Sequence, residues 1–555
     1  MRQLFSEPAG AQAHCRRGAE AREKGDWEAA LHHYLAALRL DERRADAWND
    51  LGLVYCARGE FVHAREAYAR AIDRDARLLP ALLNMANLLR EEFLDFHGAE
   101  QRYRQAIAVD PANPGALTGL GLSLQEQGRV EEAASCYREA LQIDAHFAEA
   151  SEYLLFALNL VPGLSRETTF SEHRRWAELH ADPVDRMPAA ARAPGHWRLG
   201  FVSGDFRGHS TASFTLPLLA NLDRSRFQVL CYDASGRPDA TTARFRALAS
   251  QWREIHALSD EAAARAIRDD AIDALIDLSG HTRGNRLGVF ARKPAPVAMT
   301  WLGYLNTTGM RAMDYRITDA RADPPGSDRL HTEALIRLPD TLWCYEAPAD
   351  APIPEARAEG RALVFGSCNH VAKLNGEVIA LWSRVLLDLP ESRLCVMAVP
   401  GGAAGERIAA AFARHGVQAD RIEMHPRCAR EEYWRLLAAI DVALDAFPYN
   451  GGATTCDCLW MGIPVVTLAG ESGFARSGAS ILGGAGLPEL IASDPAQYHA
   501  IALGLARDAG LRARLRSGLR ERLRGSVLMD APRFARAFEE AVVAALRRFG
   551  IDKPC

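Results

Sequence analysis

The chain has 555 residues, 48% of them hydrophobic and 25% charged, and a net charge of −5. That length exceeds what one core holds and the balance is ordinary for globular proteins, which excludes a disordered chain and predicts about two to four domains. The mildly acidic charge gives no general pull toward nucleic acid or acidic lipid, and no run approaches eighteen apolar residues, so neither a nucleic-acid nor a membrane partner is expected and the chain reads as soluble and cytoplasmic.

Residues 11–160 repeat. Small residues recur at Gly18, Gly52, Ala86 and Gly121, and again at Ala30, Ala64, Ala99 and Ala133. Aromatics recur at Tyr34, Tyr68, Tyr103 and Tyr137, and a last series runs Ala37, Ala71, Ala106 and Ala140. The step is 34 residues, with a single 35 in the third unit near EEFLDFHG, where a longer turn is expected. Small residues let two helices approach closely and the aromatic fills the gap to the next pair, so the period predicts an α-helical solenoid resembling tetratricopeptide repeats. AEASEYLLFALN reads as a partial fifth unit that caps the array. Such arrays present a concave groove, which predicts capture of a protein or peptide and no chemistry; a purely structural or dimerising array is the plainer alternative.

Residues 161–195 lose the pattern. One amphipathic helix is expected around Phe170 to His180, followed by an Ala/Pro/Arg linker with a domain boundary near Pro194.

From residue 196 strands alternate with helices, which predicts α/β architecture with parallel sheets. In 196–350, RLGFVSGDF is a strand, and RGHSTASFTLPLLANL turns into a helix with Ser210 or Thr211 at its cap. His209 therefore stands where a strand ends and a helix begins, the rim on which open α/β sheets bind ligands, although a lone histidine there is more often structural. FQVLCYD, DALIDLSGHT, APVAMTWLGY and DYRITD continue the sheet, and His281 lies in the GHT turn that ends a strand.

A second α/β set covers 351–549. ALVFGSCNHVAKLN reads as strand, polar turn and helix, and Lys373 lies just past the turn, within reach of a phosphate or merely solvated. SRLCVMAVPG and RIEMHP are further strands, and Tyr433 in CAREEYWRLL is a candidate for stacking on a base. The stretch from Asp441 to Gly470 organises the rest. DVALDAF is a buried strand, PYNGG breaks it, a short helix covers Ala453 to Met461, and PVVTL is the next strand. The free N–H groups of such a helix seat a phosphate at Gly452, Thr454 and Thr455. Asp457, about 5 Å further along by helix rise, is then placed for ribose hydroxyls. An ordinary, well-capped βαβ unit accounts for the same residues. The eleven cysteines are scattered, and Cys456 and Cys458 read as packed thiols in a reducing compartment. The final helix, PRFARAFEEAVVAALRRF, is expected to pack across both α/β sets.

Taken together, GDFRGHS, DLSGHTRGNRLGVFARKPAPVAMTWLGYLNTTG, DYRITDARADPP, FGSCNHVAKLN, DAFPYNGGATTCDCLWMGIPVVTLAG and the repeats ahead of them resemble the O-GlcNAc transferase family, most closely its SPINDLY-type branch. The resemblance spans about residues 11 to 545 and implies two Rossmann-like domains in a GT-B arrangement. It implies an inverting transferase that moves a sugar from a nucleotide-sugar donor to Ser or Thr of proteins, with no metal and no cofactor. Carried over by position, His209 matches the histidine at the sugar and acceptor side, once proposed as general base. Lys373 matches the lysine on the leaving diphosphate, Thr454 and Thr455 the threonines on that diphosphate, and Asp457 the ribose aspartate. Asn369 matches an asparagine, whereas His370 replaces an amide residue and departs from the family. Tyr433 stands where some relatives have a base-stacking histidine, and His281 shares the SPINDLY-like GHT turn.

The chemistry suits these parts. Displacing a nucleoside diphosphate builds negative charge on the leaving oxygen, which Lys373 and the helix N-terminus behind Gly451 and Gly452 would stabilise. The DxD that metal-dependent transferases often carry occurs only as Asp73 and Asp75, inside a repeat helix. UDP-GlcNAc is the favoured donor and GDP-fucose its rival. A tetratricopeptide adaptor with a decayed catalytic half is the alternative of another class, and a sugar-nucleotide epimerase or glycan-directed transferase is the third.

Overall fold

The computed structural model describes residues 7–182, 185, 195–354 and 360–551. The linker expected after the amphipathic helix, with its boundary at Pro194, lies almost wholly outside the described residues. The chain divides into two compact units, Met1–Leu154 and Leu155–Cys555.

The first unit is helical. Helices Glu7–Glu23, Trp27–Leu40, Ala45–Ala57, Phe61–Arg74, Leu79–Glu91, Phe96–Val109, Pro114–Gln125 and Val130–Ile143 pack as successive pairs, and Ala148–Leu158 follows. The aromatic column does what its spacing predicts. A Cβ on Gly18, Gly52 or Gly121 would lie 2.9, 2.4 or 2.4 Å from the ring of Tyr34, Tyr68 or Tyr137. In the third pair Ala86 replaces the glycine, and Tyr103 presses instead on Gly119, where a Cβ would meet its ring at 2.3 Å. Gly25, Gly59 and Gly128 turn each pair at φ +73°, +74° and +80°. The longer turn of the third unit has Leu94 in that place at φ +51°, a left-handed position that favours glycine.

The second unit holds two parallel sheets. The first contains β1 (Trp197–Ser203), β2 (Phe227–Asp233), β3 (Gln251–Glu254), β4 (Ala274–Asp277), β5 (Val297–Trp301), β6 (Tyr315–Asp319) and β7 (Ala334–Leu338), in the order β3-β2-β1-β4-β5-β6-β7. The second contains β8 (Val364–Ser367), β9 (Arg393–Val396), β10 (Ile422–Met424), β11 (Val442–Leu444), β12 (Val465–Leu468) and β13 (Ile491–Ala492), in the order β10-β9-β8-β11-β12-β13. Both read as near-continuous apolar runs, as parallel strands covered on both faces must. In each sheet the strand order reverses between its first and fourth strands, so a ligand crevice is expected beyond the carboxyl ends of β1 and β4, and of β8 and β11.

The last helix, Ala531–Arg548, returns to the first sheet. Phe534 and Phe538 pack on Trp301 with ring centroids 5.7 and 5.6 Å away, and Phe538 stacks on Phe201 at 6.4 Å. Glu539 accepts from the Asp223 N–H at 2.6 Å and faces Arg226 at 3.2 Å. Polar contacts also join the segments around the two sheets. Ser480 donates to Asp319 at 2.5 Å, and Arg476 donates to the Arg321 carbonyl at 2.7 Å.

Candidate active site

The second crevice gathers most of the expected residues. β8 ends at Ser367, and after a three-residue turn the chain makes one 3-10 turn, Val371–Lys373, ahead of helix Gly376–Leu387. Lys373 thus sits on that tight turn rather than on the helix, because Asn375 caps the helix two residues later. β11 ends at Leu444, and Asp445 follows it into the loop that leads to helix Ala453–Trp460. Lys373 Nζ donates to the Asn450 carbonyl at 2.7 Å and to Asn369 Oδ1 at 3.4 Å, and stands 4.4 Å from the centre of the Tyr449 ring. Burial lowers its pKa to about 8, against the pull of Asp445.

Asp445 is the hub of this loop. Its buried carboxylate accepts from the Gly451 N–H at 2.7 Å, Asn369 Nδ2 at 3.0 Å and Thr467 Oγ1 at 2.8 Å. Burial pushes its pKa up, and the Gly451 N–H and Lys373 oppose that. The helix opens at Gly452 with no side-chain cap. Thr454 and Thr455 line its first turn. A Cβ on Gly451 would lie 2.6 Å from Thr455 Oγ1, 2.9 Å from Thr454 Oγ1 and 3.2 Å from Asn369 Oδ1. Gly452 has room: a Cβ there would meet only the Trp343 ring, at 3.7 Å. Of the two glycines named from the sequence, Gly451 is therefore the one whose place in the loop leaves no room for a side chain. His370 Nδ1 accepts from the Ala372 N–H at 3.2 Å and so caps the 3-10 turn.

Asp457 is held from outside its helix. Tyr345 donates to Oδ1 at 2.7 Å and Tyr433 donates to Oδ2 at 3.0 Å. Burial raises the pKa of Asp457, and the two phenols work against that rise. Tyr433, expected to stack on a base, has its hydroxyl on this carboxylate and its ring edge-on to Trp434 at 5.0 Å.

The first crevice divides its two histidines. His209 lies at the rim after β1, with its side chain 38% exposed. Its Nδ1 is 3.0 Å from Thr211 Oγ1, 3.4 Å from the Thr211 N–H and 3.6 Å from Asp205. Thr211 occupies the cap position of helix Ala212–Asn221, yet makes no side-chain cap bond and has its hydroxyl on the imidazole instead. Burial lowers the His209 pKa, with Asp205 pulling the other way, which leaves a neutral ring at physiological pH.

His281, expected from the sequence among the substrate-binding residues, is buried beneath the turn instead of open to the crevice. It is 1% exposed, edge-on to Trp176, Tyr304 and His173 at 4.4, 5.3 and 5.3 Å. Its Nε2–H donates to the Thr308 carbonyl at 2.8 Å, and burial holds its pKa well below the ordinary histidine value. A strand-end histidine turns inward here because Trp176 and Tyr304, from distant parts of the chain, offer it apolar cover.

Trp343 connects the two crevices. Phe214, on the helix after His209, packs on it at 5.1 Å, its indole donates to Ser480 Oγ at 3.1 Å, and its ring abuts Gly452. Asp445, Tyr345, Trp343 and Tyr449 escaped the sequence reading. Only Asp445 left a signal, as an acid at the end of an apolar strand. Cys456 and Cys458 are buried free thiols. Among the described residues no three His, Cys, Asp or Glu side chains are gathered as a metal site would need, and no helix is long and apolar enough to cross a membrane.

The chain is similar to known proteins along most of its length. The model of glycosyl transferase family 41 matches residues 173–347 and 355–538, and tetratricopeptide-repeat models match 18–59 and 89–146. A protein from Petunia hybrida, named a probable UDP-N-acetylglucosamine peptide N-acetylglucosaminyltransferase SPINDLY, is 34% identical over 421 residues. The one of that name from Arabidopsis thaliana is 34% identical over 415. These alignments cover 74% and 72% of this chain but 45% of each relative, so the chain spans less than half their length. The solved structure of a mutant O-GlcNAc transferase from Thermobaculum terrenum superposes with a TM-score of 0.81 at 34% identity, over 99% of this chain and 98% of that one.

Proposed function

The chain belongs to glycosyl transferase family 41, and from that membership we propose that it is a protein O-glycosyltransferase that moves GlcNAc from UDP-GlcNAc to Ser or Thr side chains, with inversion and without a metal. The observation that carries this reading is the meeting of Lys373 with the loop ahead of helix Ala453–Trp460, where Nζ reaches the Asn450 carbonyl at 2.7 Å. Cation and uncapped helix N-terminus together form a preorganised positive seat for a diphosphate. In the reaction the acceptor hydroxyl oxygen bonds to the anomeric carbon while the bond from that carbon to the β-phosphate oxygen breaks. The bonding pair leaves with the phosphate, facing Lys373, Thr454 and Thr455. The hydroxyl proton passes to His209, whose neutral ring suits a base. Asp457 takes the ribose, and Asn369, Asp445 and Gly451 shape the loop. The half 351–549 thus binds the nucleotide sugar, 196–350 supplies the acceptor side, and the array at 11–160 captures the protein substrate. Buried free cysteines fit a reducing, cytoplasmic setting.

GDP-fucose is the second reading, favoured by the SPINDLY-type motifs of the chain, and His370 departs from the family pattern at a position that bears on the donor. Nucleotide release and transfer to peptide, measured with UDP-GlcNAc, UDP-Glc and GDP-fucose, separate the two. UDP-GlcNAc is expected to turn over fastest, and preferential use of GDP-fucose overturns the donor assignment. Silence with all three, together with no thermal shift from UDP or GDP, returns the adaptor reading.

A further inference from the structure

Asp457 is expected to meet a ribose, yet each of its oxygens is already engaged by a tyrosine from elsewhere in the fold. Tyr433 comes from helix Arg430–Ala438, and Tyr345 from the segment between β7 and β8, 112 residues away in sequence. Tyr345 is fully buried, with its ring against Phe214 at 5.7 Å, whereas Asp457 stays partly open. A carboxylate oxygen offers two acceptor positions. One phenol on each oxygen leaves one free position on each, a pair matched to two adjacent hydroxyls.

Resting on the reading of Asp457 as ribose ligand, we propose that Tyr345 and Tyr433 are positioning residues that fix this carboxylate for the cis-diol of a ribonucleotide. The site thereby selects ribose over deoxyribose, and Tyr345 ties that selection to the segment joining the two sheets. Burial raises both phenols above their usual range, so each stays a donor. It also raises Asp457, and the two O–H groups counter that by favouring the ionised, fully accepting form. A freely rotating carboxylate would have to be ordered by the nucleotide itself. One already pinned at both oxygens spares that cost.

The test uses the full chain with Tyr345→Phe and, separately, Tyr433→Phe, both of which keep the ring and its packing. Affinities for UDP and 2′-deoxy-UDP are measured by calorimetry alongside the melting temperature, with the guanosine pair substituted if the protein prefers GDP. The unaltered protein should bind the ribonucleotide about tenfold or more tightly than the deoxy form, as hydrogen bonds to a charged group allow. Each variant should lose most of that ratio by weakening the ribonucleotide alone. A variant that melts lower but keeps the ratio overturns the proposal and leaves the tyrosines structural. Ribonucleotide binding with no preference in the unaltered protein overturns it too while leaving the transferase reading intact. Binding of neither nucleotide removes both. Should one variant fail to fold, the other decides.

Discussion

The two sheets of the second unit follow the same strand order, yet their crevices are built oppositely. Beyond β4 the chain sends His281 inward to Trp176, Tyr304 and His173, and the ring is closed off from solvent. Beyond β11 it keeps polarity open: Asp445 ties down a glycine loop, Lys373 brings a charge to it, and the helix behind has no cap. Topology offers a ligand seat at both places. What decides between them is whether donors are left over once the local hydrogen bonds are made. His281 spends its Nε2–H on a backbone carbonyl, whereas the first turn of helix Ala453–Trp460 has its donors unspent by any side chain.

The sharpest way to break this contrast is to remove the charge. Lys373→Ala should abolish transfer, since a well-placed donor to a developing anion is worth roughly 3 kcal/mol or more, a hundredfold in rate. Near-normal release of nucleotide by this variant would mean the open crevice is not the reacting one. Next in size is the paired test of the two glycines. Gly451→Ala drives a Cβ to 2.6 Å from Thr455 Oγ1, and overpacking of that kind costs about 1–3 kcal/mol, so nucleotide affinity should fall by about tenfold or more. Gly452→Ala meets only the edge of Trp343 and should stay within about threefold. Equal effects would show that the loop, not the cradle under it, carries binding.

A pH series sharpens the comparison further. Diphosphate binding needs Lys373 protonated, and its pKa of about 8 lies well below the 10.5 of a free lysine. Affinity for UDP should therefore begin to fall above pH 8, by up to about tenfold per unit. Stability runs the other way. A lysine with a depressed folded pKa binds fewer protons folded than unfolded between pH 8 and 10.5, so this group favours folding progressively more as pH rises through that window. Opposite slopes for binding and stability, both lost in Lys373→Met, identify the group; a flat affinity to pH 10 would place the charge elsewhere.

Much of this was legible in advance, for physical reasons that differ by region. The repeat columns are local: Tyr68 fills the space over Gly52 because a fixed period brings them together. The strand, loop and short helix at 441–470 were readable because turn residues and apolar runs alternate there. Tyr345 was not, since it sits in a patternless segment and finds Asp457 only through the packing of the two sheets. His281 shows the limit from the other side, because a histidine at a strand end carries no mark of whether its ring turns outward or in. Leu94 is a third case: the extra residue of the third repeat was visible, but not that a leucine would take the left-handed position its siblings give to glycine.

The smallest expected effect concerns the closed crevice. His173 donates from Nδ1 to the Thr169 carbonyl at 2.7 Å and pairs through Nε2 with the Tyr304 hydroxyl at 2.7 Å, and burial lowers its pKa to about 4. His281, with Nδ1 buried and unpartnered among the described residues, is held lower than usual for the same cause. Both rings stay neutral while their unfolded counterparts take up protons below about pH 6.5. The unfolded state then binds more protons, so stability should fall as pH drops from 6.5, by at most about 1.4 kcal/mol per unit for each histidine. His281→Phe removes one of the two titrations and should flatten the loss of melting temperature between pH 6.5 and 5. At neutral pH it should cost only the bond to Thr308, about 1 kcal/mol. Affinity for nucleotide should be unchanged, because the ring is buried among Trp176, Tyr304 and His173. A folded His281→Phe protein that binds UDP tenfold more weakly would return the histidine to the site and erase the difference between the two crevices.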